Sequence, residues 1–312
     1  PSGGTMHWSR IADVIPALMV VMLTPLLGQH GAELAMVILY QWLVFAIYLL
    51  LAARIAGELA GQRAQIFALI LAVLAFPTIS LFLPGRIDHH GLQIVFALVL
   101  VHALIAPPSL RQGLIAGLAA ALSLAVGLEA APEIVAAIAA LGILWMFGGR
   151  AETRRAIGFG GALGGVTLAL LLFARPYAWP EQWCDGFTPA SSRATLVLAG
   201  AWVAIGVAGL KSESGRIRAA VGAAVGGIAA LAVLRLSPVC LQGPYDALTP
   251  FLKQVWMSNV SEARDLFIGQ DTLGTSVAYG GLMFGGLALT LYRLWQRRAV
   301  EWPWIAFAIF LL

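Results

Sequence analysis

The chain has 312 residues, of which 60% are hydrophobic and only 11% charged, with 19 Lys and Arg against 15 Asp and Glu and a net charge of +4. That much apolar surface exceeds what a soluble core of this length buries, which excludes a water-soluble globular enzyme and implies an all-α, polytopic transmembrane helical bundle. The basic residues are dispersed among loops rather than gathered in a patch, which excludes nucleic acid as a partner.

Residues 1–30 read as an outer juxtamembrane segment. Its apolar part, IADVIPALMVVMLTPLLG (11–28), carries Pro16 and Pro25, which weaken a straight span, and lying in the interface it keeps His7, Trp8 and Arg10 at the water boundary. Apolar runs of membrane-crossing length then follow near 33–53, 64–82, 91–106, 113–128, 131–147, 156–174, 194–210, 217–234, 275–292 and 303–312. Ten or eleven membrane helices are therefore expected in one transmembrane domain, 1–312, read as part of a longer chain. The glycines of GFGGALGG (158–165), VGAAVGG (221–227) and YGGLMFGG (279–286) are spaced for close helix contact. His102, alone within a span, is expected to bond a neighbouring helix.

Loop charge sets the orientation. One set of loops holds Arg54, Arg63, Arg111, Arg150, Arg154, Arg155, Lys211, Arg216, Arg218, Arg293, Arg297 and Arg298, twelve of the nineteen basic residues, and reads as cytoplasmic. Asp88, Asp185, Asp246, Glu262, Asp265 and Asp271 fall on the opposite, outer side, as do Cys184 and Cys240. Oxidation is permitted there, so a Cys184–Cys240 disulfide is expected; the alternative is two separate thiols.

The chemistry gathers in outer loops. LPGRIDHHGLQ (83–93) places Arg86, Asp88, His89 and His90 within five residues at a span boundary. Such groups are costly there unless they pair, bind metal or line a wet cavity. A carboxylate with imidazoles suits a divalent cation, and the planar fork of Arg86 suits phosphate. The competing interpretation makes Asp88 the cap of the following helix. Glu129 and Glu133 bracket another outer turn; Glu133, just after Pro132, reads as a helix start, and Glu129, an acid a few residues from lipid depth, as a candidate functional group. The long external loop 235–274 keeps Phe251, Val255, Trp256 and Met257 among polar residues, as a segment resting on the membrane surface or a ligand does. Arg175, Arg193, Arg235 and Lys253 read as interfacial anchors or as contacts for anionic lipid headgroups or another phosphate.

An HW-containing juxtamembrane segment, an outward Asp-x-His turn opening a span (GRIDHHG) and a late external Val-Ser-Glu triplet (NVSE, 259–262) resemble, in that order, the GT-C superfamily of membrane glycosyltransferases, and most of all the catalytic subunit of oligosaccharyltransferases. The resemblance implies that Asp88 and His90 hold a divalent cation, Mn²⁺ or Mg²⁺, beside the phosphates of a polyprenyl-linked sugar donor. The imidazole departs from the family's second carboxylate and favours Mn²⁺ or Zn²⁺ over Mg²⁺, the alternative being a site that works without metal. It further implies that Glu262 is the catalytic glutamate of the late loop, with Asp88 the other catalytic residue and Arg86, His89, Arg264 and Glu129 binding substrate. The expected activity is transfer of a sugar, of inverting type, from a polyprenyl phosphate or pyrophosphate to an unassigned acceptor. The expected location is a bacterial-type inner membrane, with membrane lipids as neighbours and the site on the periplasmic side. The family's first external loop and soluble domain are expected before residue 1 and after residue 312. A transporter or flippase for a lipid-linked or acidic substrate is the alternative, although it calls for charges near the bilayer midplane and the spans are nearly clean of them. A non-catalytic scaffold is the third reading.

Overall fold

The structure, a computed structural model, describes residues 9–75, 78–175, 184–243, 245, 248–260, 272–297 and 301–311. Among these residues the regular elements are all helical: α1 (Ile11–Ala60), α2 (Gln62–Leu74), α3 (His90–Ile105), α4 (Leu110–Val126), α5 (Ala131–Phe147), α6 (Gly149–Phe173), α7 (Pro189–Gly209), α8 (Gly215–Leu236), α9 (Pro250–Val255), α10 (Leu273–Arg297) and α11 (Trp302–Leu311), with short 3-10 turns between some of them. Five of them, α1, α6, α7, α8 and α10, are long and apolar enough to cross a membrane, and α2 to α5 are apolar but shorter, at 13 to 17 residues. A helix of 16 residues spans about 24 Å, short of a ~30 Å hydrocarbon layer. The expected ten or eleven membrane helices are thus matched in part by length and composition.

Helices α3 to α8 run alternately up and down. One end of the bundle, called here the site end, carries the start of α3, the α4–α5 turn and the disulfide that joins the start of α7 to the end of α8. The far end carries the α3–α4, α5–α6 and α7–α8 connections. Through Gly61, at φ 87°, the chain turns α2 back along α1, where the Tyr48 hydroxyl reaches the Ala72 carbonyl at 3.4 Å. The run expected as a span over 64–82 instead ends as helix at Leu74, and a separate 3-10 turn, Thr78–Phe82, returns Phe82 to a cluster with Tyr40, Val44 and Tyr48.

The segment 11–28 is helical with both prolines inside it, and it meets the rest of α1 at a break at Gly28, φ 68° and ψ 169°. Its beginning is tied to the site end: the Ser9 hydroxyl donates to the Ala125 carbonyl at 2.5 Å, and Ile11 packs on Ala125, Leu170 and Phe187. Only glycine adopts that backbone conformation without strain, so the bend is written into the sequence at one position.

Two close helix contacts form the core. A Cβ on Gly113 would lie 2.1 Å from the Arg155 carbonyl oxygen, and one on Gly117 2.3 Å from that of Phe159, so α4 and α6 touch backbone to backbone. Gly160, where a Cβ would lie 2.7 Å from the Ala199 carbonyl oxygen, and Gly206 against Ile157 bring α6 close to α7 as well. The GFGGALGG run thus packs as expected at Gly158, Gly160 and Gly164. The other two runs differ: a Cβ added to Gly226, Gly227 or Gly285 would have nothing within 4 Å, while one on Gly222 or Gly286 would make only ordinary side-chain contact, with Trp145 at 3.6 Å and Leu311 at 3.9 Å. Glycine spacing says where a close approach is allowed, and only the neighbour's position decides whether it occurs.

The far end is held by two arginines counted above as loop charges, and this corrects their role. Arg155 is 1% exposed and donates to the carbonyls of Leu104 (2.5 Å) and Ala106 (2.6 Å) at the end of α3, with Glu152 3.4 Å away. Arg218, also 1% exposed, donates to Ser212 (2.9 Å), Trp145 (2.7 Å), Gly149 (3.1 Å) and Gly209 (3.2 Å) carbonyls and to the Thr153 hydroxyl. Helix C-termini leave carbonyls without intrahelical partners, and a guanidinium with five N–H donors satisfies several together. His102, as expected, bonds a neighbouring helix, through Glu58 of α1 at 2.9 Å.

Candidate functional site

The turn 83–89 joins the 3-10 turn Thr78–Phe82 to α3. Gly85, at φ 90°, lets the chain reverse, and α1 anchors it: the Gly85 amide donates to the Val37 carbonyl at 3.4 Å, and the buried Gln41 side chain donates to the Arg86 carbonyl. Asp88 follows. Its Oδ1 accepts the His90 backbone N–H at 2.9 Å and faces the His90 ring Nδ1, while its Oδ2 accepts from Arg86 Nε at 3.0 Å. Asp88 thus accepts the first backbone N–H of α3 from the position before the N-cap residue His89, and an ionised carboxylate, with about four acceptor sites, is not exhausted by this.

His89 stacks on His90 with ring centroids 4.5 Å apart, and its Nε2 lies 3.4 Å from Glu129 Oε1 in the α4–α5 turn. Gln93, one turn into α3, donates to Glu129 Oε2 at 2.9 Å. Burial opposes ionisation of Asp88, but hydrogen bonds from His90 and Arg86 outweigh it and hold the carboxyl well below the usual carboxylate range. Glu129 behaves alike: burial raises its pKa, hydrogen bonds from His89 and Gln93 lower it further, and the net direction is down. Both acids are held as anions among imidazoles.

Donor atoms of Asp88, His89 and His90 lie within 4.8 Å of one another. One carboxylate and two imidazoles fit Mn²⁺ or Zn²⁺ better than Mg²⁺ in donor chemistry. Beside this cluster a cavity of about 280 Å³ opens, floored by Leu81, Ile94, Ala97 and Leu98. His90, Gln93, Glu129 and Glu133 supply its polar wall.

Five of the residues singled out in the sequence, Arg86, Asp88, His89, His90 and Glu129, thus meet at one end of the bundle. Cys184 and Cys240 form a disulfide with Cα atoms 5.5 Å apart. That bridge borders the site, because the Leu128 amide donates to the Asp185 carbonyl at 3.0 Å. Arg193 reaches the Leu236 carbonyl at 3.3 Å, and Ser237 the Ala190 carbonyl at 3.1 Å, tying α7 to α8. Glu262 and Arg264 lie outside the described residues. In the long loop, α9 buries none of its residues, and Phe251, Val255 and Trp256 are exposed. Glu133 sits in the first turn of α5 behind Pro132, as expected of a helix start, and also faces the cavity. Sequence reasoning passed over Gln41 and Gln93. Each is a buried amide in an apolar helix, and Gln93 follows His89 by four residues, which is the available signal.

The sequence matches no protein-family model and no curated protein. Solved structures do resemble the fold. AglB, an oligosaccharyltransferase from Archaeoglobus fulgidus solved with an inhibitory peptide and a dolichol-phosphate, superposes with a TM-score of 0.70 at 15% identity, over 99% of this chain and 39% of that one. The Archaeoglobus fulgidus oligosaccharyltransferase in complex with Zn and sulfate gives 0.63 at 16% identity, over 99% and 37%. Its apo form gives 0.61 at 15%, over 97% and 38%. The chain spans about two fifths of the length of these proteins. Over nearly its whole length it shares the fold of these archaeal oligosaccharyltransferase structures.

Proposed function

We propose that this chain is a glycosyltransferase that moves a sugar from a polyprenyl phosphate or pyrophosphate donor to an acceptor at the outer, periplasmic face of a bacterial-type inner membrane. The observation that carries the reading is the convergence of Arg86, Asp88, His89, His90 and Glu129 at one end of a GT-C-type bundle. The neighbouring structures add the donor class, since AglB was solved with a dolichol-phosphate.

In this reading Arg86 and the imidazoles draw the donor's phosphate to the turn and offset the charge that builds as the C1–O bond breaks. A divalent cation held by Asp88 and His90 would supply further neutralisation of that leaving group. The acceptor's nucleophile forms the new bond at C1, the electron pair of the broken bond leaves with the phosphate, and the acceptor's proton passes to Glu262. A single displacement of this kind inverts the anomeric centre. Exposed apolar residues of α9 support a long loop that rests on the membrane surface near the donor.

Two substitutions test the proposal. Asp88→Ala and Glu262→Ala are each expected to abolish transfer of labelled sugar from lipid-linked donors in isolated membranes, at unchanged expression and with the Cys184–Cys240 bridge formed. Full activity in both variants would overturn it.

A further inference from the structure

The cavity beside the DHH turn carries carboxylates on its wall. The turn holds Arg86 paired with Asp88 at 3.0 Å together with the two imidazoles, while Glu129 and Glu133 line the cavity with Gln93 and His90. A phosphate is repelled by the two cavity carboxylates. Carboxylates and an amide carbonyl are, in contrast, strong acceptors for hydroxyl groups. At about 280 Å³ the space lies below the ~300–1,000 Å³ of pockets for drug-sized ligands, which matches one sugar ring rather than an oligosaccharide. The apolar floor of Ile94, Ala97 and Leu98 suits the C–H face of such a ring.

We propose that this cavity seats the sugar ring attached directly to the donor's phosphate, with Glu133 and Gln93 accepting its hydroxyls and Glu129 holding the wall in place through His89 and Gln93. The inference rests on the donor reading above and deepens it: the two cavity carboxylates keep the phosphate out, so the sugar lies on the glutamate side and the phosphate outside it, toward the turn. Glu133 then determines specificity without touching the reacting atoms.

The test is binding of two probes to the detergent-solubilised full chain, undecaprenyl phosphate alone and the same lipid carrying a single hexose, followed by native mass spectrometry. The wild type is expected to prefer the hexose-bearing probe by about tenfold or more, the scale of one hydrogen bond to a charged group. Glu133→Ala and the cavity-filling Ala97→Phe should each remove that preference and leave binding of the bare lipid within about twofold, a change too small to count as a lost hydrogen bond. A wild type without preference, or variants that keep it, would overturn the sugar-seat assignment alone. A folded wild type that binds neither probe would overturn the donor reading and this inference with it.

Discussion

Asp88 is the residue on which the site's geometry turns. It receives three bonds, from the backbone and ring of His90 and from Arg86, and these stabilise its anion against the cost of burial. A depressed folded pKa stabilises the fold above the unfolded value of about 3.9, and that stabilisation is lost as pH falls below it toward the folded pKa. Glu129 adds the same dependence near its own unfolded value of about 4.3. Thermal unfolding in detergent should therefore be nearly flat from these acids between pH 5 and 8 and fall below about pH 4, and Asp88→Asn should flatten the acid limb. An unchanged acid limb in Asp88→Asn would show that other carboxylates govern it. This cluster was legible in the sequence because five polar residues stood where a span meets water. Gln41 was not, since its role depends on α1 passing behind the turn, a juxtaposition 45 residues apart in sequence.

Among the elements, α6 is the pivot, pressed between α4 and α7 through glycines. Gly117→Ala places a methyl group 2.3 Å from the Phe159 carbonyl oxygen and should cost about 2 kcal/mol, the usual scale of overpacking, read as a lowered Tm. Gly226→Ala meets open space and should be neutral or stabilise α8 by up to about 1 kcal/mol. Equal effects of the two would contradict the packing described. The arginines divide in the same way. Arg218→Met strips partners from four carbonyls and should cost about 3 kcal/mol, while the exposed Arg154→Ala should cost nothing measurable. Sequence alone counted all these arginines as loop charges because a helix end and a loop look identical in composition. Only the fold reveals which guanidinium caps a neighbouring helix. The glycine runs teach the same lesson from the apolar side: of the three, only the first brings backbones into close contact, and there at Gly158 and Gly160 but not at Gly161 or Gly165.

At the scale of the whole molecule, the sequence carried the all-helical class, the order of the apolar segments and the pairing side of the cysteines, because hydropathy and loop charge are local properties summed along the chain. The kink at Gly28 and the break after Leu74 were hidden, the first because a single glycine looks like any other, the second because apolar residues continue across the break. The likeness to oligosaccharyltransferases over 99% of the chain at 15% identity is one of shape, so the donor must be found by experiment. The most direct measurement is mass spectrometry of the lipids that copurify with the protein in mild detergent. A polyprenyl phosphate or pyrophosphate should be bound to the wild type and depleted in Asp88→Ala. A folded, disulfide-bonded wild type with no such lipid above the level of a control membrane protein would contradict it.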